Sequence, residues 1–326
     1  MAEQRDIEVL NEMVGVSVLL VTYNHEKHIR RALDALLGQE LPGMVEVVVA
    51  DDASTDSTRT IIKEYERLNE RFLFKYLDST VNLGITKNYQ RGFAACSGKY
   101  VAVLEGDDYW VSPLKLKRQA EFLDNHWECD LCSVNYFVFE ETRSQFTPRT
   151  PIGTGHRFFG ARDLIADNIV GNFSTCMYRR SALSTLPAEL FEIKSYDWIT
   201  NIYLARESLI GYLDEPMSVY RLHDAGVWTQ TPHIEKLKSQ LDILPAYDEL
   251  TDYLFHDDFE HLSSRLRHVI TASQIGNVTE NLSQPVLRVM PFIISCTPPF
   301  IMSILRAVIP VAVKNFLVKI IKRSRE

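Results

Sequence analysis

The chain has few cysteines and no secretion-like start. It contains only 5 cysteines among 326 residues, and the neighbours Cys129 and Cys132 have no second pair that would complete a zinc site. Buried thiols in a reducing compartment are therefore expected. Residues 1–12 carry several charges and no long apolar core, so we expect no secretory signal and a cytoplasmic protein.

Phosphate-binding glycine loops are also missing. No G-x-G-x-x-G pattern follows the first predicted strand, and no Walker lysine motif occurs in the sequence. These absences leave a dinucleotide cofactor and an ATP-hydrolysing loop without support. A nucleotide bound by this protein would have to be held by acidic side chains, a metal ion and backbone groups.

The apolar stretch near the end of the sequence is too short for a membrane span. Residues 289–305 are uncharged, but this run of 17 is broken by Pro291, Pro298 and Pro299. Crossing a bilayer as one helix takes about 20 apolar residues, and consecutive prolines interrupt a helix. We therefore do not expect a transmembrane helix here.

Positive charge is concentrated at the end of the chain. Residues 286–326 carry seven Lys or Arg against Glu326 alone, a net charge of +6, so residues 1–285 carry −14 and the whole chain −8. This balance argues against nucleic-acid binding by the main body. We interpret residues 285–326 as an apolar and basic amphipathic segment that associates with an anionic membrane surface. The alternative is that it packs on the main domain or on a partner subunit of a homo-oligomer.

Apolar runs alternate with helical patterns over the first hundred residues. The predicted strands are residues 16–21, 45–50, 72–77 and 100–104, with helices between them. This alternation is typical of an α/β fold, a mostly parallel sheet flanked by helices. Ligands of such sheets bind at the carboxyl ends of the strands, where Asn24, Asp52 and Asp107 would lie.

The stretch LEGDDYW, residues 104–110, concentrates negative charge at the end of a buried strand. Glu105, Asp107 and Asp108 surround Gly106. A solvated turn is one interpretation, since Asp and Gly favour turns. The other is a site for Mg²⁺ or Mn²⁺, because these ions prefer oxygen ligands and take one or two carboxylates together with the phosphates of a substrate.

Six motifs occur in order along residues 15–230. They are SVLLVTYN (17–24), VADDASTD (49–56), NLG (82–84), LEGDDYW (104–110), YDW (196–198) and YRLH (220–223). Together they resemble the family 2 glycosyltransferases, which are inverting enzymes with a GT-A, Rossmann-like fold that use nucleotide-diphosphate sugars. The resemblance implies a catalytic domain over residues 1–230, with a nucleotide-sugar half at about 15–110 and an acceptor half at about 111–230.

The resemblance assigns the donor nucleotide to the first half of this domain. The residues lining the base and ribose would be Thr22, Tyr23 and Asn24. Asp52 would accept the imide N–H of a uracil or thymine ring, so a UDP- or dTDP-sugar is favoured. The alternative for Asp52 is a helix-capping acid. Lys87 resembles a basic position near the diphosphate, although an exposed helical lysine explains it almost equally well.

The resemblance also assigns a divalent cation, Mn²⁺ or Mg²⁺, to the second acidic motif. Asp107 and Asp108 would hold the metal, with Asp107 also contacting the donor. Glu105 stands where the D-x-D motif of the family usually begins. His223 would contact the metal or the diphosphate, with a core histidine as the equal alternative. Arg221 would neutralise the leaving diphosphate.

Asp197 matches the position of the catalytic base of the family. A base must take the proton from the acceptor hydroxyl, and neighbouring aromatic side chains would raise the pKa of this carboxyl enough for that role. The alternative is an acid that complements a helix dipole. The residues assigned to the diphosphate and acceptor side are Glu105, Trp110, Trp198 and Arg221.

The rest of the chain is predicted to be less regular. The remaining elements are a helix at 112–125, a strand at 131–139, a strand at 210–213 with a turn at 215–216, and a helical segment at 231–284. Residues 141–170 are rich in Thr, Pro, Gly and Arg and are expected to form a mobile loop on the acceptor side.

The sequence therefore predicts a metal-dependent, inverting glycosyltransferase, peripheral on the inner face of the cell membrane. It would move a sugar to a hydroxyl of a lipid-linked glycan in bacterial surface polysaccharide synthesis. The alternatives are a non-catalytic nucleotide-sugar-binding or scaffold protein of the same fold, and a nucleotidyltransferase. The acids Asp52, Asp107, Asp108 and Asp197 favour an enzyme, and the missing glycine-rich loop disfavours a nucleotidyltransferase.

Overall fold

The computed structural model describes residues 14–193, 197–224, 226 and 231–286. The predicted membrane-associating segment lies outside the described residues from position 287 onward. Contacts group the described residues up to Arg267 into one compact unit. Among the described helices, none combines the length and the apolarity that crossing a membrane requires.

Within the described residues, ten strands form one mixed sheet. The strands are β1 (Val14–Thr22), β2 (Met44–Asp51), β3 (Phe72–Tyr76), β4 (Tyr100–Glu105), β5 (Tyr109–Trp110), β6 (Cys129–Glu140), β7 (Gln145–Pro148), β8 (His156–Phe159), β9 (Met177–Arg179) and β10 (Leu209–Leu222). Their order is β3-β2-β1-β4-β9-β6-β10-β5, with β7 paired to β6 and β8 to β10. β1 to β4 are mutually parallel, as are β6 and β10, whereas β9 runs antiparallel to both of its neighbours.

Helices flank the sheet. Those of the described residues are α1 (Ile29–Leu37), α2 (Thr58–Tyr65), α3 (Ile85–Ala95), α4 (Lys115–Asn125), α5 (Ala161–Ala166), α6 (Arg180–Leu183), α7 (Asp197–Leu204), α8 (His233–Leu250) and α9 (His256–Val286). Short 3₁₀ turns lie at Glu141–Arg143, Phe173–Thr175 and Ala188–Glu192. The α/β fold class predicted from the sequence is confirmed.

The apolar alternation of β1 explains why helices lie on both faces of the sheet. Val18 and Leu20 join a core cluster with the buried face of α1, whereas Leu19 and Val21 join a second cluster with α3. Side chains of a strand point to opposite faces in turn, so a strand that is apolar throughout needs a cover on each side. β2 and β4 are therefore buried along almost their whole length, whereas the edge strand β3 is partly exposed.

Two local predictions for the second half of the domain are wrong. The strand expected to end at a turn near Glu215 continues through Pro216 as β10, because shifts of its register against β6 absorb the proline. The expected loop at 141–170 contains β7, β8 and α5. It is anchored by the buried Asn135, whose Nδ2 donates to the carbonyl oxygens of Thr150 and Asp214 at 3.1 Å each.

Helices α8 and α9 occupy the region predicted as a helical segment. Leu244 and Tyr247 of α8, with Phe259 and Leu262 of α9, belong to the same core cluster as Trp198. Burial of large apolar side chains is the main stabilising term in folding. This part of the helical region therefore packs onto the sheet domain.

Candidate functional site

The carboxyl ends of β1, β2 and β4 meet at one edge of the sheet. Thr22 pairs with Asp51 across β1 and β2, and Val21 pairs with Glu105 across β1 and β4. A cavity of about 670 Å³ opens at this edge. The predicted site residues that line it are Thr22, Tyr23, Asn24, Asp52, Glu105, Asp107, Asp197, Arg221 and His223. Four others, Lys87, Asp108, Trp110 and Trp198, are not part of its wall.

The pKa values of two carboxyl groups at the end of β4 are shifted in opposite directions. Burial raises the pKa of Glu105 well above its usual value, and the charges of Asp108 and Asp107 raise it further. Tyr89 donates a hydrogen bond from its hydroxyl to Glu105 Oε1 at 2.7 Å. Burial also acts to raise the pKa of Asp107, but His25 and His223 outweigh it and lower that pKa. Asp107 is therefore the anion of the pair.

Basic side chains surround Asp107. Its Oδ2 lies 3.1 Å from His223 Nε2 and 3.8 Å from His25 Nε2. The ring of His28 lies 4.6 Å from that of His223, centroid to centroid. Burial and the charges of Arg221 and His223 lower the pKa of His28 to about 4. Arg221 donates from Nε to the Asp107 carbonyl oxygen at 2.9 Å. His25, His223 and Arg221 thus bring basic nitrogen atoms to the side of the cavity where Asp107 lies.

Gly106 allows this arrangement by its lack of a side chain. A Cβ at this position would stand 2.7 Å from both Thr22 Oγ1 and His25 Nδ1. That distance is closer than real Cβ contacts, so another residue would push β1 and its following loop away from Asp107. The E-G-D-D motif thus needs glycine for the close approach of the loops.

Asp108 faces away from the cavity. It is 1% exposed, and its Oδ1 accepts the backbone N–H of Arg221 at 2.9 Å. Burial, with the charge of Asp107, raises its pKa well above the usual value. Asp108 was predicted to be a metal ligand. In the structure its side chain instead holds the backbone of Arg221 and is not part of the cavity wall. Neighbouring residues of a short loop point in different directions, and the sequence does not reveal which of the two faces the ligand.

Asp197 begins α7 and lines the cavity. Burial raises its pKa to about 6, although the backbone N–H groups of Trp198 and of Asp197 itself and the side chain of Asn168 act to lower it. A carboxyl with this pKa is ionised near neutral pH and remains basic enough to accept a proton. Asp197 and Asp107 therefore line the same cavity, and the raised pKa of Asp197 is one that suits a proton acceptor.

The two predicted tryptophans are parts of the scaffold. Trp110 donates from Nε1 to the carbonyl oxygen of Ser174 at 2.8 Å, and Trp198 donates to that of Leu164 at 2.7 Å. Both side chains are buried. A buried indole N–H needs such a partner, and each tryptophan thereby ties together segments that flank the cavity. Their predicted position on the acceptor side is not supported by this packing.

The loops after β1 and β2 bind each other, and we call residues 24–26 with 54–58 the loop clasp. Six hydrogen bonds connect the two sides: Asn24 N to Ser54 Oγ (2.9 Å), Thr55 N to Asn24 Oδ1 (2.8 Å), Thr55 Oγ1 to Asn24 Oδ1 (3.3 Å), His25 N to Thr58 Oγ1 (2.8 Å), Glu26 N to Asp56 Oδ2 (3.0 Å) and Ser57 N to Glu26 Oε2 (3.1 Å). The Asn24 side-chain oxygen is thus already occupied, although Asn24 lines the cavity.

Asp52 holds the loop that follows β3. Its Oδ1 accepts the N–H of Leu83 at 2.8 Å, and its Oδ2 accepts that of Gly84 at 2.9 Å. Gly84 has φ +84°, a conformation that favours glycine. Each carboxylate oxygen retains a second lone pair. The predicted contact between Asp52 and a pyrimidine base stays a prediction.

Lys87 is placed differently from its prediction. Its ammonium group forms an ion pair with Glu192, and both side chains are partly exposed. Glu192 is far away in sequence, so only the fold reveals the partner. This lysine braces α3 against the 3₁₀ turn Ala188–Glu192, outside the cavity wall.

A divalent cation fits this site only together with a ligand. Among the described residues, no group of three or more His, Cys, Asp or Glu side chains is arranged to hold a metal ion. Asp107 and His223 nevertheless offer an oxygen and a nitrogen donor at one point of the wall. Mg²⁺ and Mn²⁺ commonly take one or two carboxylates with substrate phosphates. Two protein ligands therefore suffice if a diphosphate completes the coordination.

Sequence reasoning missed several residues of the cavity. They are His25, His28, Tyr89, Glu141 and Asn172, which line it or contact its charged groups. The histidines directly follow the TYN motif, and that proximity is a usable signal. Glu141, which accepts a hydrogen bond from Arg221 Nη1 at 3.2 Å, gives no signal in the sequence because its role depends on the pairing of β6 with β10.

Comparison with known proteins gives consistent matches. Residues 17–186 match the family model described as glycosyl transferase family 2. The glycosyltransferase TuaG of Bacillus subtilis, whose name assigns it to teichuronic acid biosynthesis, is 35% identical over 209 residues, 64% of this chain and 79% of that protein. An uncharacterized protein of Mycobacterium tuberculosis is 35% identical over 65% of this chain, and the match spans 60% of that relative's length.

Two solved structures share the fold. TarS of Staphylococcus aureus, residues 1–349 with UDP-GlcNAc, superposes with a TM-score of 0.55 at 21% identity, over 73% of this chain and 70% of that one. The mannosyltransferase PcManGT of Pyrobaculum calidifontis with GDP-Man and Mn²⁺ gives 0.54 at 15% identity, over 85% and 80% of the two chains. At these identities the likeness shows the fold alone.

Proposed function

This chain belongs to glycosyl transferase family 2, and we propose that it moves a sugar from a nucleotide-diphosphate sugar to a hydroxyl group with inversion at the anomeric carbon. Its acceptor would be a glycan of a bacterial surface polysaccharide, by analogy with the relative named for teichuronic acid synthesis. A UDP- or dTDP-sugar is the favoured donor, with Thr22, Tyr23, Asn24 and Asp52 at the nucleotide.

One observation carries this proposal: basic side chains and a carboxyl with a raised pKa share one cavity. His25, His223 and Arg221 are the basic side chains, grouped around Asp107, and Asp197 has a pKa of about 6. Inverting transfer needs a base beside the acceptor hydroxyl and positive charge beside the leaving diphosphate. We assign the first role to Asp197 and the second to the basic side chains.

The residues divide the reaction between them. Asp197 takes the proton of the acceptor hydroxyl while the hydroxyl oxygen bonds to the anomeric carbon. Arg221 and the histidines neutralise the departing diphosphate. When bound by Asp107, His223 and the diphosphate, Mn²⁺ or Mg²⁺ supplies further positive charge to the leaving group. Asp108 acts through Arg221, whose backbone it holds.

Replacement of the base tests the proposal. Asp197→Asn keeps the shape of the side chain and an oxygen that accepts hydrogen bonds. Its amide cannot take the proton, so turnover should fall by about 10²–10⁴-fold. Binding of the donor, measured by calorimetry, should stay near the wild-type value. Undiminished turnover would remove Asp197 from the reaction, and loss of donor binding instead would place it at the nucleotide.

We also propose that residues 285–326 bring the enzyme to the inner face of the cell membrane, where a lipid-linked acceptor would be found. The support is the sequence alone, since each Lys or Arg near an anionic surface contributes about 1 kcal/mol. The full chain should float with anionic liposomes and not with neutral ones, and a 1–285 variant should stay behind. Equal behaviour of the two forms would favour packing of this segment on protein.

A further inference from the structure

Asn172 has a buried side chain without a partner. It lines the cavity and is 5% exposed, and neither its Oδ1 nor its Nδ2 makes a hydrogen bond with any described residue. A carboxamide offers an acceptor oxygen and two N–H donors. Buried polar groups are nearly always satisfied, so an unpaired amide on a cavity wall indicates a ligand that supplies the missing bonds.

The position of Asn172 does not explain its side chain. It precedes the 3₁₀ turn Phe173–Thr175, a place where Asn usually caps with its side chain, yet it makes no such hydrogen bond. The side-chain hydrogen bonds at this position go to its backbone carbonyl oxygen. Thr175 Oγ1 donates to the Asn172 carbonyl oxygen at 2.8 Å, and Cys176 Sγ donates to the same oxygen at 3.5 Å. The carboxamide is left for another purpose.

The backbone before Asn172 is tightly constrained. Gly171 has φ +78°, and a Cβ there would stand 1.9 Å from Tyr136 Oη, so only glycine fits. Asn168 Oδ1 accepts the N–H of Gly171 at 3.2 Å. A fixed backbone limits the directions in which the next side chain can point, which is the pre-organisation expected of a binding residue.

The neighbours of Asn172 connect it to both carboxylates of the reaction. Asn168 contacts Asp197 through its side chain. On the other side, the ring of Phe173 lies 4.4 Å from that of Tyr89, centroid to centroid, and Tyr89 donates to Glu105. Asn172 therefore belongs to the part of the cavity between the base and the end of β4.

We propose that the Asn172 carboxamide hydrogen-bonds hydroxyl groups of the transferred sugar and thereby selects the donor sugar. This inference rests on the proposed function, in which the sugar lies between the diphosphate and Asp197. Sugar hydroxyls both donate and accept, so a neighbouring pair of them matches the oxygen and N–H groups of one amide. A site built for such bonds discriminates strongly against a sugar that lacks the hydroxyl.

The test compares Asn172→Leu with the wild type in two measurements. A panel of UDP-, dTDP- and GDP-hexoses and the parent nucleoside diphosphates is titrated by calorimetry, and the sugar with the greatest gain in affinity over its nucleoside diphosphate is chosen. In Asn172→Leu, the affinity for the nucleotide sugar should fall about tenfold, whereas the affinity for the nucleoside diphosphate should equal that of the wild type. Asn172→Ala, which poses no problem of fit, should show the same loss.

The second measurement is the melting temperature without ligand. Leu fills a similar volume and removes an unpaired amide, so Asn172→Leu should melt at or above the wild-type temperature. Asn135→Leu is the matched control, because that buried amide binds Thr150 and Asp214 and its loss should lower the melting temperature or prevent folding. Opposite signs for the two asparagines support a binding role for Asn172.

Each contrary result overturns a different statement. If both Asn172 variants keep the wild-type gain in affinity, Asn172 does not bind the transferred sugar, while the proposed function stands. If Asn172→Leu melts as far below the wild type as Asn135→Leu does, its amide is structural and the inference is wrong. If the wild type binds no nucleotide sugar, both the inference and the proposed function fail.

Discussion

The loop clasp and the end of β4 are both acidic, polar and near the same cavity, but they use their polar atoms differently. In the clasp, side chains of Asn24, Glu26 and Asp56 bind the backbone of the facing loop. At the end of β4, Glu105 has a raised pKa and Asp107 faces the cavity between histidines. The polar side chains of the first region bind the backbone of the facing loop, whereas Glu105 and Asp107 of the second contact other side chains of the cavity wall.

This difference separates two reasons for which a polar motif exists. Satisfied polar groups stabilise one loop conformation, so their loss is felt first in the free energy of unfolding. Buried acids with shifted pKa values cost stability and persist where chemistry needs them. On the proposed function, clasp side chains such as those of Glu26 and Asp56 position the site, and Asp107 acts on the ligand.

Of changes within the two compared regions, the largest effect is expected at the end of β4. Asp107→Asn removes the anion that would share a cation with the diphosphate, so turnover should fall by about 10²–10³-fold. Wild-type affinity for UDP should be higher with Mn²⁺ than with EDTA, and the variant should lose that difference in calorimetry. If EDTA changes nothing in the wild type, the metal has no part in donor binding.

The pH dependence of turnover should report Asp197. Because the base must be ionised and its pKa is about 6, the rate should rise about tenfold per pH unit below 6 and level off above it. The measurement is initial rate against pH from 5 to 8 at saturating donor. A rate that is flat across pH 6 would assign the proton transfer elsewhere.

Loss of a hydrogen-bonding group from the loop clasp should affect the free energy of unfolding more than turnover. Hydrogen bonds from the Thr58 side chain and the backbone of Thr58 and Glu26 lower the pKa of Asp56, although burial acts against them. Asp56→Asn should therefore cost about 1 kcal/mol in urea unfolding at pH 7, with turnover changed by less than about tenfold. The carboxylate contributes fully above its unfolded pKa of 3.8, so the difference between variant and wild type should shrink as pH falls below 3.8 and through the lower folded pKa.

The smallest effect should be a gain. Ala53 has φ +61°, a left-handed conformation that costs an alanine free energy and suits glycine. Ala53→Gly should therefore stabilise the protein by about 0.5–1 kcal/mol. The control is Ala35→Gly within α1, where the same replacement should destabilise by about 1 kcal/mol. Destabilisation at both positions would mean that the turn tolerates alanine without strain.

The fold could be predicted from the sequence because its signals are local. Apolar runs such as residues 16–21 and the helical spacing of Ile29 and Leu33 are read within a few residues. Glu215 and Pro216 misled the prediction because a proline usually ends a strand, whereas here the long pairing of β10 with β6 tolerates it through a bulge.

The site could be predicted only in part. Asp107 and Asp197 were identified, and both line the cavity. Asp108 and Lys87 were also predicted as site residues. Their side chains instead contact residues that are distant in sequence, Arg221 and Glu192. Asn172 gave no signal, because an unpaired amide is recognised only when all possible partners are in place.

One pair of variants tests most directly the distinction between polar groups that hold the loops and acids with raised pKa values in the cavity: Asp56→Asn in the clasp and Asp197→Asn at the start of α7, each measured for melting temperature and turnover at pH 8. The folded pKa of Asp197, about 6, lies above its usual value of 3.8, so its charge destabilises the fold above pH 6 and its removal should stabilise it. The account predicts that Asp197→Asn raises the melting temperature and nearly abolishes turnover, and that Asp56→Asn lowers the melting temperature and largely keeps turnover. Two variants that both melt below the wild type and lose turnover alike would contradict it.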